Sequence, residues 1–398
     1  MDLALVLTGG GARAAYQAGV LLGLARLAPE LSLPILTGVS AGAINVVQLA
    51  AANGSFSERV AALDEAWLGV EVDSVFRTDA RDLFGRGLRW VSRLASGGHP
   101  GPPAPRGLVD TRPLERYLQG LLGEEENGIP GIRRNLDSGA LRAVAITASS
   151  YGTGRSVTWV ESCDTCPFLG WERAHRTGEA GRLRVAHVMA SAALPIIFPA
   201  VQVGGQWFGD GGIRLTAPLS PAIHLGAQRI LAVSTRYERT LREAAEPSVE
   251  GYPPVAQIAG VLLNALFLDL LDSDALTIKR VNDLVDRIPE ADRQGLRRID
   301  CLLLRPSQDL GRLANAYEIR LPKAFRFLTR GLGTREMRSN DLLSLLMFQS
   351  DYIRELLALG ERDVLARQQE IRLFLGLYDP VPAATEGSGH ASGGSGLS

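Results

Sequence analysis

The first 53 residues hold two copies of one pattern, a short apolar run, a glycine-bearing turn and a helix. Leu3 to Leu7 ends in Thr8-Gly9-Gly10-Gly11, and a helical periodicity follows from Ala14 to Leu27, with Val20, Leu21, Leu24 and Leu27 on one face. Pro34 to Thr37 is a second short run. It ends in Gly38-Val39-Ser40-Ala41-Gly42 and leads into a helical stretch from Ala41 to Ala52. Short apolar strands that alternate with helices must be joined by crossovers, so the chain is expected to build a mainly parallel sheet with helices on both faces. Further core strands are expected at Leu141–Ser149, Ser156–Glu161, Arg229–Thr235 and Ile299–Leu304, with a hairpin over Val201–Gly209 around Gly204-Gly205. Helices are expected from Asp110-Thr111-Arg112-Pro113 and over Val185–Leu194.

Composition narrows the classes of function. The chain has 398 residues, 46% of them apolar, which suffices for a large core without disulfides or metals. Lysine plus arginine is 42 and aspartate plus glutamate 43, so the net charge is -1, and the isoelectric point near 6.6 gives no electrostatic footprint for nucleic acid. Three cysteines exclude a disulfide framework. Cys163-Asp164-Thr165-Cys166 lacks the further ligands of a zinc site, since Cys301 is the only other cysteine, and reads as a loop with two thiols. No metal or cofactor is expected. Met1-Asp2 leads straight into the first apolar run with no basic segment before it, so no signal peptide is expected and the location is expected to be cytoplasmic. Val255 to Leu271 is the nearest approach to a membrane span. Gln257, Asn264 and Asp269 argue instead for a buried helix.

Three motifs carry chemistry. Gly38-Val39-Ser40-Ala41-Gly42 is a G-x-S-x-G. With 44 glycines in the chain, about 0.3 such matches arise by chance, so its setting between a strand and a helix carries the weight. On such a turn the glycines avoid clashes and the serine hydroxyl stands clear of the sheet as a nucleophile. Gly9-Gly10-Gly11-Ala12-Arg13 sits at the other strand-to-helix junction. Ala14 stands where a dinucleotide fingerprint needs glycine, and no Gly-Lys-Ser/Thr completes a phosphate loop. What remains is an oxyanion hole made of backbone amides. Asp210-Gly211-Gly212 follows Trp207-Phe208-Gly209 and fits either a buried base on a tight turn or an ordinary Asp-Gly hairpin turn.

Together these motifs resemble the patatin-like phospholipase family. The likeness also takes in Ala190-Ser191-Ala192-Ala193-Leu194-Pro195, Phe198-Pro199 and Val109-Asp110-Thr111-Arg112-Pro113-Leu114, and covers roughly residues 3–235. The resemblance implies a three-layer α/β/α fold with Ser40 as nucleophile and Asp210 as its partner in a Ser-Asp dyad. It implies an oxyanion hole from Gly9, Gly10 and Gly11 with Arg13 beside it, and Gly38 and Gly42 as the glycines of the nucleophile turn. Ala14 departs from the family's usual glycine. A free aspartate is a weak base for a hydroxyl, so the dyad requires a pocket that raises its basicity. Of the five histidines, His99 lies in a Gly/Pro loop, His390 in the tail, His187 and His224 in helical stretches and His175 in a polar region, none in a triad-like setting.

The expected organisation is a catalytic domain over 1–235 with a cap or loop insertion at 71–107, a mostly helical extension over 236–380 and a floppy Gly/Ser-rich tail at 381–398. Residues 81–95 form an amphipathic pattern, with Phe84 and Trp90 on the apolar side and Arg86, Arg89 and Arg93 opposite. That suits a cap helix over the site, peripheral contact with an anionic bilayer, or both. The family's usual substrates, phospholipids or lysophospholipids, make lipid acyl-ester hydrolysis through an acyl-serine intermediate the expected activity. An acyltransferase on the same dyad, a non-catalytic lipid-binding protein and, least of all, a soluble peptidase are the alternatives.

Overall fold

The computed structural model describes residues 2–77, 106–246, 251–267, 270–318 and 339–377, with Gly85 and Arg326 as single residues. The amphipathic segment with Phe84 and Trp90, the Gly/Pro loop with His99 and the tail with His390 lie outside the described residues.

Ten described strands form one sheet: β1 Leu3–Leu7, β2 Ile35–Val39, β3 Ala143–Ser150, β4 Ser156–Ser162, β5 Trp171–Arg173, β6 Arg176–Ala180, β7 Val201–Val203, β8 Gln206–Asp210, β9 Arg229–Val233 and β10 Asp300–Leu304. The order is β10-β9-β1-β2-β3-β4-β6-β5, with β8 on β3 and β7 on β8. From β10 to β3 every pairing is parallel. Strands β1, β2 and β3 are buried along their whole length, as near-continuous apolar runs in a covered parallel sheet should be. The molecule is the expected α/β/α sandwich, and the residues after 235 include helices packed on it.

The helices that matter for the site are α1 Ala15–Leu27, α2 Ala41–Ala51, α3 Phe56–Leu68, α4 Arg112–Leu122, α5 Val185–Ser191, α6 Val255–Phe267, α7 Leu270–Val285, α8 Asp341–Leu346 and α9 Ser350–Ala366. Helix α3 starts at a full capping box between Ser55 and Glu58. Helix α4 ends on Gly123 in the left-handed conformation. Helix α5 stops at Ser191, three residues short of the expected end, and Ala192–Leu194 form the turn that carries the chain toward β7.

One feature differs from expectation. Val255–Phe267 is not a buried helix. Helix α6 packs Ala259 and Leu263 inward, while Val255, Val261 and Leu262 are more than half exposed. Its polar Asn264 is used to hold α8, donating to Asp341 Oδ2 at 2.6 Å. The strand expected near residues 299–304, β10, pairs in register with β9 from Asp300↔Arg229 to Leu304↔Val233. Among the described residues no helix is long and apolar enough to cross a membrane.

Candidate active site

Ser40 occupies the single residue between β2 and α2, at φ 57° and ψ -133°. A side chain is disfavoured there, and a serine held in such a conformation is the mark of a strained strand-to-helix turn. The flanking glycines are required by space. A Cβ on Gly38 would come within 2.6 Å of the Gly42 carbonyl oxygen, and one on Gly42 would lie 2.5 Å from the Thr8 carbonyl oxygen. The Ser40 N–H donates to Ser191 Oγ at 3.0 Å, and that hydroxyl donates in turn to the Thr147 carbonyl at 2.6 Å. Ser191, fully buried at the end of α5, therefore fixes the backbone of the turn.

Asp210 ends β8. Strand β3 brings it to Ser40, since Val39 is opposite Thr147 on one edge of β3 and Ala148 is opposite Asp210 on the other. Its N–H donates to the Ala193 carbonyl at 2.9 Å, and its Oδ1 accepts from the Gly212 N–H at 2.9 Å. Gly211 lies directly on β3, where a Cβ would strike the Thr147 carbonyl and come within 2.6 Å of Val39 Cγ2. Asp210 is fully buried, and burial raises its pKa from the ordinary carboxylate range to about 7, against the opposing pull of the Ser40 hydroxyl and the Gly212 amide. Its Oδ2 is buried without a completed hydrogen bond. The Ser40 hydroxyl is thus near enough to lower the carboxyl's pKa, and Oδ2 is the carboxylate oxygen without a partner among the described residues.

The glycine loop lies against the same turn, with a Cβ on Gly9 falling 2.9 Å from Ser40 Cβ. Its carbonyls are tied back: Gln17 Nε2 donates to the Thr8 oxygen at 2.8 Å and the Thr235 hydroxyl to the Gly9 oxygen at 2.8 Å. In a trans peptide the N–H points away from the C=O, so anchoring these two carbonyls turns the Gly9 and Gly10 amides to the opposite side. Neither amide has an acceptor among the described residues. Gln17 is itself held by Asn45, which also bonds Ala14 and accepts from the Trp67 indole at 2.8 Å. Gln17, Asn45 and Thr235 leave no periodic or motif-like trace in the sequence. Ser191 does, within the Ala190–Pro195 block.

Arg13 was expected beside the oxyanion hole, and its bonds run within the loop and to a helix from the far end of the chain. Its N–H closes a turn onto the Gly10 carbonyl at 3.0 Å, and its buried guanidinium pairs with Asp341 at 2.5 Å and donates to Ser344 Oγ at 2.6 Å. A buried arginine needs a carboxylate partner, and here α8 supplies it. Arg13 ties the loop to α8.

The described histidines lie elsewhere. His187 packs on Trp159 with ring centres 4.6 Å apart, its pKa lowered to about 4 by burial and the neighbouring Arg184. His224 stacks on Trp171, and His175 takes part in a strand-end turn through its carbonyl. Cys163 is buried and Cys166 exposed, both as free thiols. No group of three or more His, Cys, Asp or Glu able to hold a metal gathers among the described residues.

Ser40 opens onto a narrow apolar cavity of about 50 Å³. Ile44, Trp67, Leu114 and Phe198 line it, joined by Leu345 and Phe348 from the α8 segment. A three-layer sandwich with a serine on a strained turn, a buried carboxylate at the end of β8 and an apolar pocket defines a three-layer α/β protein with a serine at the mouth of an apolar cavity. The family profile described as patatin-like phospholipase matches residues 5–223, and the chain belongs to that family. Similar solved structures include VipD from Legionella pneumophila, with 13% identity and a TM-score of 0.37, covering 89% of this chain and 66% of that one. Human GIVD cytosolic phospholipase A2 is similar at 13% identity and a TM-score of 0.43, covering 94% of this chain and 59% of that one. The chain therefore spans about three-fifths to two-thirds of the length of these neighbours. No curated protein matches it.

Proposed function

We propose that the chain hydrolyses acyl esters of lipids, phospholipids or lysophospholipids being the substrate class that its family suggests. The observation that carries this reading is a strained Ser40 beside a buried Asp210 whose pKa lies near 7, at the mouth of an apolar cavity. Ser40 Oγ attacks the ester carbonyl carbon while its proton passes to Asp210. The tetrahedral oxyanion is held by the amides of the glycine loop, Gly9 and Gly10 foremost. Collapse expels the alcohol, which takes the proton from Asp210 and leaves an acyl-Ser40 ester. Water then gives a proton to Asp210 as it attacks that ester, and release of the fatty acid restores Ser40. Peripheral bilayer contact through Phe84 and Trp90, a cytoplasmic location and catalytic residues drawn from within 1–235 belong to the same proposal.

A base must be unprotonated to act, so kcat/KM is expected to rise with pH through about 7 and then level off. Asp210→Asn is expected to lower kcat by about 10²–10⁴-fold. The deciding experiment is labelling with a fluorophosphonate followed by mass spectrometry. An adduct on Ser40, lost in Ser40→Ala together with fatty-acid release from phospholipid vesicles, is the expected result. Vesicle hydrolysis that survives Ser40→Ala would overturn the reading.

A further inference from the structure

The cavity beside Ser40 has a wall that does not come from the family-matched residues 5–223. Leu345 and Phe348 supply it, from α8 and the two residues after it. This segment is fixed to the glycine loop at three points. Arg13 pairs with Asp341, Arg13 Nε donates to Ser344, and the Leu345 carbonyl occupies the space that a side chain on Gly11 would need. Gly11 is at φ 54°, so both its conformation and its neighbour require glycine. On the far side, Asn264 of α6 holds the second oxygen of Asp341.

The aromatic part of the wall is equally constrained. Phe348 meets Phe76 edge-on at 6.3 Å, and Phe76 meets Phe198 at 6.1 Å. Phe198 and Phe348 both line the cavity, and Phe76, 1% exposed, braces them from behind. Met347, between Leu345 and Phe348, is fully buried, so this part of the wall is packed into the core on its other side. Packed interiors shift little when pushed, and a wall of this kind stops a growing chain.

We infer that Leu345 and Phe348 determine which acyl chains the site accepts. This rests on the reading of Ser40 as an acyl-ester nucleophile. Each methylene that finds apolar room gains about fourfold in binding, and the gain ends where a rigid ring blocks the way. Phe348→Ala removes a group the size of benzene, which apolar cavities in proteins accommodate.

Two profiles test it. In the Ser40→Ala background, displacement of a fluorescent polyene fatty acid by saturated acids from octanoate to stearate gives relative affinities. In the parent, kcat/KM for nitrophenyl esters from butyrate to palmitate gives the kinetic counterpart. Phe348→Ala is expected to raise the ratio of longest to shortest chain by about tenfold or more in both, with Leu345→Ala moving it in the same direction by about fourfold. Unchanged ratios in both variants would overturn the inference. Should Phe348→Ala fail to fold by circular dichroism, Phe348→Leu carries the test with an expected change of about fourfold. Absence of ester turnover by the parent would count against the Ser40 reading alone, because the binding profile still decides the wall.

Discussion

At φ 57° Ser40 is held where only glycine rests without strain. Ser40→Gly is therefore expected to raise stability by about 1 kcal/mol while removing ester turnover, as read by urea unfolding and a vesicle assay. Asp210 gives a second prediction. With a folded pKa near 7, above the ordinary carboxylate value, the folded protein binds this proton more tightly than the unfolded chain does. Its contribution to stability is therefore present in acid and is lost as pH rises toward and through about 7. Asp210→Asn keeps the shape and removes the buried charge. It should melt higher than the parent at about pH 8, with the gap closing toward about pH 4, in calorimetry across that range. Ser40 was legible in the sequence because the geometry of its turn demands glycines at fixed offsets. Asp210 was ambiguous on its own, since an Asp-Gly pair serves any hairpin. The supporting bonds of Gln17 and Thr235 were not legible, because one side chain bonded to one distant carbonyl imposes no spacing on the chain.

Between elements, α1 packs backbone to backbone on α9. A Cβ on Gly19 would run into the Leu357 carbonyl, one on Gly23 would lie 2.6 Å from Val364 Cβ, and one on Gly360 would strike the Tyr16 carbonyl. The Tyr16 hydroxyl adds a bond to Asp363 at 3.0 Å. Gly19→Ala separates two effects of opposite sign. Helix propensity alone would stabilise by about 1 kcal/mol, whereas backbone overpacking costs about 1–3 kcal/mol. A net loss of stability in urea unfolding is expected, because the obstructing atom is backbone and cannot rotate away. The helical period of Ala14–Leu27 was visible from its apolar residues. Its partner was not, since small residues that admit a neighbouring helix resemble residues chosen for flexibility. Val255–Leu271 shows the reverse error. Its apolar run, broken by Gln257, Asn264 and Asp269, suggested a buried helix, yet of the described side chains of α6 Ala259 and Leu263 pack on the core while Val255 and Val261 are exposed.

For the whole molecule, the sheet and the helical layers form one body that crosses residue 235. A chain ending there would leave β9 without β10 along one edge and α1 without α9. Residues 1–235 expressed alone are expected to lack the cooperative thermal transition of residues 1–377, in parallel melts followed by circular dichroism. The parallel centre of the sheet was legible from the two strand-turn-helix units at the start. The outermost parallel strand was legible only as a strand, because well over half the chain separates β1 from β10 and no local pattern encodes which strands become neighbours.

The ion pair between Arg13 and Asp341 also has a consequence in time. Translation delivers Arg13 first, then the hydroxyl and the carboxylate, and only much later the acid that Arg13 requires. Until then the guanidinium on the first loop lacks the carboxylate that lets it be buried, and the cavity stands open where Leu345 and Phe348 will close it. Full assembly of the site thus waits for most of the polypeptide to be made, so a half-synthesised chain carries the serine and the carboxylate without the wall that completes their pocket.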